Sequence, residues 1–447
     1  MKKYLPFILL STSLMASSLT ESVKRFTWDD QSVTWLRDDK FPRFSFSIYF
    51  EGGALGEKIP GLTHSTFDLL TAGTSRENQN QLNEFFEFYG ARLKSNVTHE
   101  TSILTLSGLI KDLKPLTQKF CEVLKEANYP MDKVSSYQAR AKSQIKSLVN
   151  SHGALADRAY RRLSLKGTPY ELPVEGSLET LAQIETKGLK QRLLELRTFK
   201  KRIYLSGPKE VLELKDYLTS DCLGKGETSL SQVTLKKPEP QDVIYLVTVP
   251  EANQAQIRLG RYMTRPEFQA KEDEFSFFAG FLGGGFTSKL IQELRVKRGL
   301  TYSASAYVSG LRQYGRAGVS TFSKNETATE AINVIRDIFD DLIAKKILPE
   351  ELNHQKGFQK GSHPFQFEDS QLLLSQIAHL DLMGRPMSDL VDYPQKVDSM
   401  TINILARSAY EIFPWEKQTI VVVGDKSLEK SLSKIRPVKI IPYTEFL

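Results

Sequence analysis

The same order of local signals runs through this chain twice, roughly 210 residues apart, and that repeat limits what it can fold into. In the first pass Phe44, Phe46, Ile48 and Phe50 alternate with Ser45, Ser47 and Tyr49, the period-two pattern of a half-buried strand. Gly52 and Gly53 end it, helical stretches follow over about 61–72 and 80–89, and Gly90 stops the second of these. Alternation then resumes over 91–97 and 101–106. In the second pass 244–249 reads as a strand and 271–282 as a helix, broken by Gly283, Gly284 and Gly285. A helix resumes over 287–297, Gly299 ends it, and 300–308 alternates as a strand. Each pass closes on an apolar strand that runs into a glycine, at Gly207 and Gly424. Gly90 and Gly299 are 209 residues apart, and Gly207 and Gly424 are 217 apart. A period this long is not a solenoid unit; it predicts two homologous domains.

Strands and helices mix within each pass, so each domain is expected to be α+β: a largely antiparallel sheet with helices packed on it. The clearest helix spans 327–345, with Ile332, Ile335, Ile338, Phe339, Leu342 and Ile343 on one face. The polar stretch 224–241, with two prolines and two glycines, is the expected linker between domains over 23–223 and 242–447. Residues 1–18 read as a secretory signal: Lys2 and Lys3, a 13-residue mostly apolar core from Tyr4 to Ala16, then small residues. That core is well short of the roughly 20 residues a membrane span needs, so the expectation is an exported protein with no stable membrane span, placed in a bacterial periplasm. Export permits a disulfide, yet Cys121 and Cys222 alone make no scaffold, and free thiols remain equally open. The formal charge of +7 over 447 residues, with no arginine-rich run, argues against nucleic acid as a partner.

The chain lacks His-Glu-x-x-His, Gly-x-Ser-x-Gly and a catalytic-cysteine signature. The glycines before Lys289 do not make a phosphate loop, because Phe286 stands where the lysine should follow. The segment from Leu282 through Gly-Gly-Gly-Phe-Thr-Ser-Lys to Leu290, then Gln292 to Tyr302, is instead specific. It resembles the C-terminal domain of the insulinase/pitrilysin family of zinc metallopeptidases. Gly52-Gly53, His64, Gly73-Thr74 and Gly90 fit the N-terminal domain of that family, so the resemblance covers nearly all of the chain after the leader. It implies two such domains forming half of a clam-like peptidase chamber.

The family's zinc site is His-x-x-Glu-His on a helix, with a further Glu about 75 residues later. Here the corresponding stretch is His64, Ser65, Thr66, Phe67, Asp68. Phe67 stands where the base belongs and Asp68 where the second ligand belongs, and the third ligand position falls near Gln144. One imidazole and one carboxylate make a poor zinc site, and the other five histidines form no ligand-spaced pair. The expectation is therefore that this chain binds no metal itself. Arg295 and Tyr302, by contrast, keep the family's Arg-x6-Tyr spacing; the resemblance assigns the Tyr hydroxyl to the developing oxyanion and the Arg to substrate backbone oxygens. The expected function is the non-zinc subunit of a heterodimeric peptidase. A zinc-bearing homologous partner is expected to act with it on unfolded peptides bound by strand addition. The alternative is a non-catalytic binding or scaffold protein of the cell envelope with the same fold.

Overall fold

The computed structural model describes residues 22–29, 31–229 and 240–447; the expected leader and most of the expected linker lie outside them. The described residues form two compact units, each drawing on both halves of the sequence. One takes the chain up to Arg140, Val174 to the linker, and Phe365–Val391; the other takes Ala141–Pro173, the linker to Pro364, and Asp392–Leu447. The strands of the first are β1 (Val23–Trp28), β2 (Gln31–Arg37), β3 (Arg43–Phe50), β4 (Arg92–Val97), β5 (Ser102–Leu109) and β6 (Lys201–Gly207). Those of the second are β7 (Ile244–Thr248), β8 (Gln254–Thr264), β9 (Ala304–Gly310), β10 (Tyr314–Lys324), β11 (Thr419–Gly424) and β12 (Val438–Pro442). Nine helices carry the argument: α1 (Leu62–Asp68), α2 (Gln79–Phe88), α3 (Leu113–Glu126), α4 (Met131–Lys146), α5 (His152–Ser164), α6 (Thr186–Thr198), α7 (Glu272–Gly283), α8 (Ala328–Ile343) and α9 (Ser370–Met383).

The first sheet runs β1-β2-β6-β3-β5-β4 and the second β12-β7-β11-β8-β10-β9. The four strands β6-β3-β5-β4 and their counterparts β11-β8-β10-β9 pair antiparallel in the same order, which is the repeat seen in the sequence. Both sheets are nevertheless mixed. β2 joins β6 in parallel, and both β7–β11 and β12–β7 are parallel. The fold is α+β, with more parallel pairing than alternation alone announces.

In the first unit Phe44, Phe46, Ile48 and Phe50 point to one face and are all buried. Phe46 meets Phe120 of α3 edge-on at 5.1 Å between ring centroids, and Phe50 meets Phe67 of α1 at 5.9 Å. On the opposite face Leu36 and Tyr204 pack beneath Leu373, Leu374, Ile377 and Ala378 of α9. Cys121 and Cys222 form a disulfide with Cα atoms 5.0 Å apart, tying α3 to the short helix Ser220–Leu223. The linker's first residues are ordered here too, Thr228 exchanging backbone bonds with Thr198 and Lys200 at 2.9 and 2.8 Å.

In the second unit Leu155, Ala156, Ala159 and Tyr160 of α5 cover Tyr245, Val247, Val421 and Val423. The expected helix over 327–345 is α8, its apolar side buried, with Phe339 stacked on Phe413 at 4.5 Å. Each sheet thus receives one covering helix from the opposite half of the sequence, α9 on the first and α5 on the second. Fully burying a Leu or Ile of such a helix contributes roughly 1.5–3 kcal/mol.

Candidate functional site

The two stretches singled out in the sequence fall in different units. Gly61 leads into α1 at φ 96°, a left-handed conformation that glycine takes without strain. The Glu57 carboxylate accepts from the backbone N–H of Gly61 and of Thr63, both at 2.7 Å, meeting donors that open the helix. Burial raises the Glu57 carboxyl above its ordinary range, against the pull of those hydrogen bonds and of Arg192. Arg192 of α6 is itself buried, donating Nε to Thr63 Oγ1 at 2.9 Å and Nη2 to Gly53 O at 2.7 Å. The entry to α1 is therefore fixed by a hydrogen-bonded network.

His64 Nδ1 lies 3.1 Å from the hydroxyl of Tyr137 on α4, and Ser65 Oγ lies 3.1 Å from the same oxygen. Burial pushes the Tyr137 hydroxyl up to about 12, so it stays protonated near neutral pH. Phe67 is 3% exposed, one wall of the core around Phe50. Asp68 turns outward, 3.9 Å from Arg140 in a half-exposed pair. Gln144 is exposed on α4, two turns beyond Tyr137 on the same helical face, its carbonyl accepting from Ser147 Oγ at 2.7 Å. The side chain at His64 is thus Tyr137, which sequence reasoning missed; its i, i+7 relation to Gln144 is the signal that could have found it.

Zinc does not fit this arrangement. The one imidazole is engaged with a phenol, the position expected to hold a base is a packed phenyl ring, and the carboxylate faces an arginine. Among the described residues no group of three or more His, Cys, Asp or Glu side chains is placed to hold a metal ion.

In the second unit α7 ends against β9 so closely that a Cβ on Gly283 would meet Ala306 N at 2.1 Å. A π-helical turn, Ile291–Val296, then carries Arg295, and Gly299 at φ 62° ends it. β9 begins at Ala304 rather than at 300 as the alternation predicts, because Leu300 to Ser303 form a side-chain-supported turn. Thr301 is buried there, donating to Ser303 O at 2.8 Å and accepting from Ser303 N at 3.1 Å. With Thr301 inward, Tyr302 faces out at 72% exposure. The Arg295 guanidinium sits 4.3 Å from the Tyr302 ring centroid and 5.7 Å from that of Phe286, itself 77% exposed. Cation–π contacts at such exposed positions contribute about 0.5–1 kcal/mol each. Arg295 and Tyr302 are therefore brought together, with Phe286 as a third member that sequence reasoning used only to reject a phosphate loop.

Residues 203–357 match the family described as peptidase M16 inactive domain. The chain is similar to M16-type peptidase homologues of the inactive kind, and the resemblance read from Leu282 to Tyr302 is borne out over that stretch. It is 23% identical to the non-peptidase homolog YmxG of Helicobacter pylori, across 96% of this chain and 100% of that protein. It is 22% identical to the uncharacterized zinc protease YmxG of Bacillus subtilis, across 87% of this chain and 96% of that one. The solved peptidase M16 inactive domain from Pseudomonas fluorescens shares the fold at a TM-score of 0.81 and 19% identity, covering 90% of this chain and 98% of that structure. No helix among the described residues is long and apolar enough to cross a membrane.

Proposed function

We propose that this chain is the exported, non-zinc subunit of a two-chain metallopeptidase. It supplies Arg295, Tyr302 and half of a peptide-binding chamber to a homologous partner that carries the zinc site and the base. One contrast carries the reading: the zinc stretch is filled and internally bonded, whereas Arg295 and Tyr302 are stacked together and face outward. A phenol hydroxyl held on a fixed turn can donate to the oxyanion that develops at a scissile carbonyl, and a guanidinium beside it can hold neighbouring backbone oxygens. Unfolded peptides are the substrates this chemistry serves, added as a strand to an exposed sheet edge.

The test is affinity purification of the tagged mature chain from its own source, with co-purifying proteins identified and zinc quantified. A stoichiometric, zinc-loaded homologue is the expected result. A second reading, a non-catalytic binding or scaffold protein of the envelope, is favoured by the name non-peptidase homolog given to the Helicobacter pylori relative. Recovery of the chain alone, or with unrelated envelope proteins and no zinc, establishes that second reading instead.

A further inference from the structure

The first unit holds a cavity of about 390 Å³ that neither the zinc stretch nor the Arg–Tyr pair explains. Its floor follows from strand register. Ser206 of β6, Ser45 of β3, Ser107 of β5 and Arg92 of β4 are successive partners across the sheet, so the four side chains share one row and one face. Ser45 and Ser206 are buried at the bottom. Lys94 stands two residues along β4 from Arg92, on the same face, and Arg43 opens β3 at the rim.

Two carboxylates also line the cavity; the cations Lys40 and Arg43 beside Asp38 offset its charge, and Asp369 is taken up in capping α9. Asp38 accepts from Lys40 N at 3.1 Å and from the Ser370 hydroxyl. Asp369 caps α9, accepting from Gln371 N at 2.7 Å and Leu372 N at 3.2 Å, so the helix N-terminus is already satisfied and offers nothing further. Among the described residues no carboxylate lies within ion-pair distance of Arg92 or Lys94. Two adjacent cations with no carboxylate in ion-pair distance, at the end of a row of hydroxyls that can donate, form the donor set that a compact oxyanion requires.

We propose that this cavity binds a compact oxyanion, a phosphate or a carboxylate, held by Arg92 and Lys94 over the Ser107–Ser45–Ser206 row. The site is independent of the peptidase reading and stands or falls separately from it. The experiment is calorimetric titration of the mature chain at low ionic strength with inorganic phosphate and, separately, with acetate. Three proteins are compared: wild type, Arg92→Ser/Lys94→Ser, and Lys439→Ser, which removes an exposed cation from β12. Saturable binding that the double variant weakens by about tenfold or more, and that Lys439→Ser leaves unchanged, is the expected result. Binding of phosphate alone or of acetate alone assigns the source of the oxyanion. No saturable binding of either anion, or equal weakening in Lys439→Ser, overturns the proposal. All three substituted positions are exposed, and matched thermal unfolding confirms that each variant folds.

Discussion

The helix that carries His64 and the turn that carries Tyr302 handle their polar groups in opposite ways. Around α1 each polar side chain finds a partner within its own unit: Glu57 on backbone donors, Arg192 on Gly53 and Thr63, His64 and Ser65 on Tyr137. Phe67 completes that packing. Around Arg295 two aromatic rings and a guanidinium stack on one another, with both rings largely in solvent. The difference teaches that the residues around His64 are accounted for by packing and hydrogen bonds within their own unit, whereas the outward-facing stack of Arg295, Tyr302 and Phe286 is not.

The sharpest way to break this comparison is Phe67→Glu combined with Asp68→His, which respells the zinc motif. A carboxylate at a 3% exposed site carries an uncompensated charge into the core, and urea unfolding is expected to show a loss on the order of 3–5 kcal/mol, with no bound zinc. A stable variant holding one equivalent of zinc ends the view of α1 as purely structural. Tyr302→Phe is expected to leave unfolding within about 0.5 kcal/mol of wild type. Assayed with the proposed zinc-bearing partner, it is expected to lower kcat by about 10²–10³-fold. Unchanged cleavage removes Tyr302 from the site. Tyr137→Phe takes away the phenol shared by His64 and Ser65, so chemical denaturation should record a cost of about 1 kcal/mol with no effect on partner binding. Smallest is Phe286→Ala: stability holds, and turnover falls only a few-fold, in line with a lost cation–π contact of about 0.5–1 kcal/mol. A larger loss of turnover means Phe286 touches substrate itself.

The strands at the centre of each sheet were legible because alternation such as Phe44 to Phe50 records which face is buried. The edges were not. β1 and β2 carry Lys24, Arg25 and Thr34 among their apolar residues, and the parallel joining of β2 to β6 spans about 170 residues, which no local pattern encodes. Nothing local in the sequence of α5 or α9 says which sheet each will cover. At the site, the substitutions at Phe67 and Asp68 could be read directly from the motif, and so could the spacing of Arg295 and Tyr302. The orientation of Tyr302 could not, since it depends on Thr301 turning inward to bond Ser303. The pairing of Cys121 with Cys222 was left open by the sequence, because it depends on where α3 meets the segment after β6.

The exchange of covering helices sets a timetable for synthesis. The last strand of the first sheet is made by Gly207, yet α9, which covers Leu36 and Tyr204, ends at Met383. At about 5–20 residues per second the ribosome takes roughly 9–35 s to cover that interval. Until that segment follows, on the ribosome or during export, the face of the first sheet bearing Leu36 and Tyr204 lacks its cover.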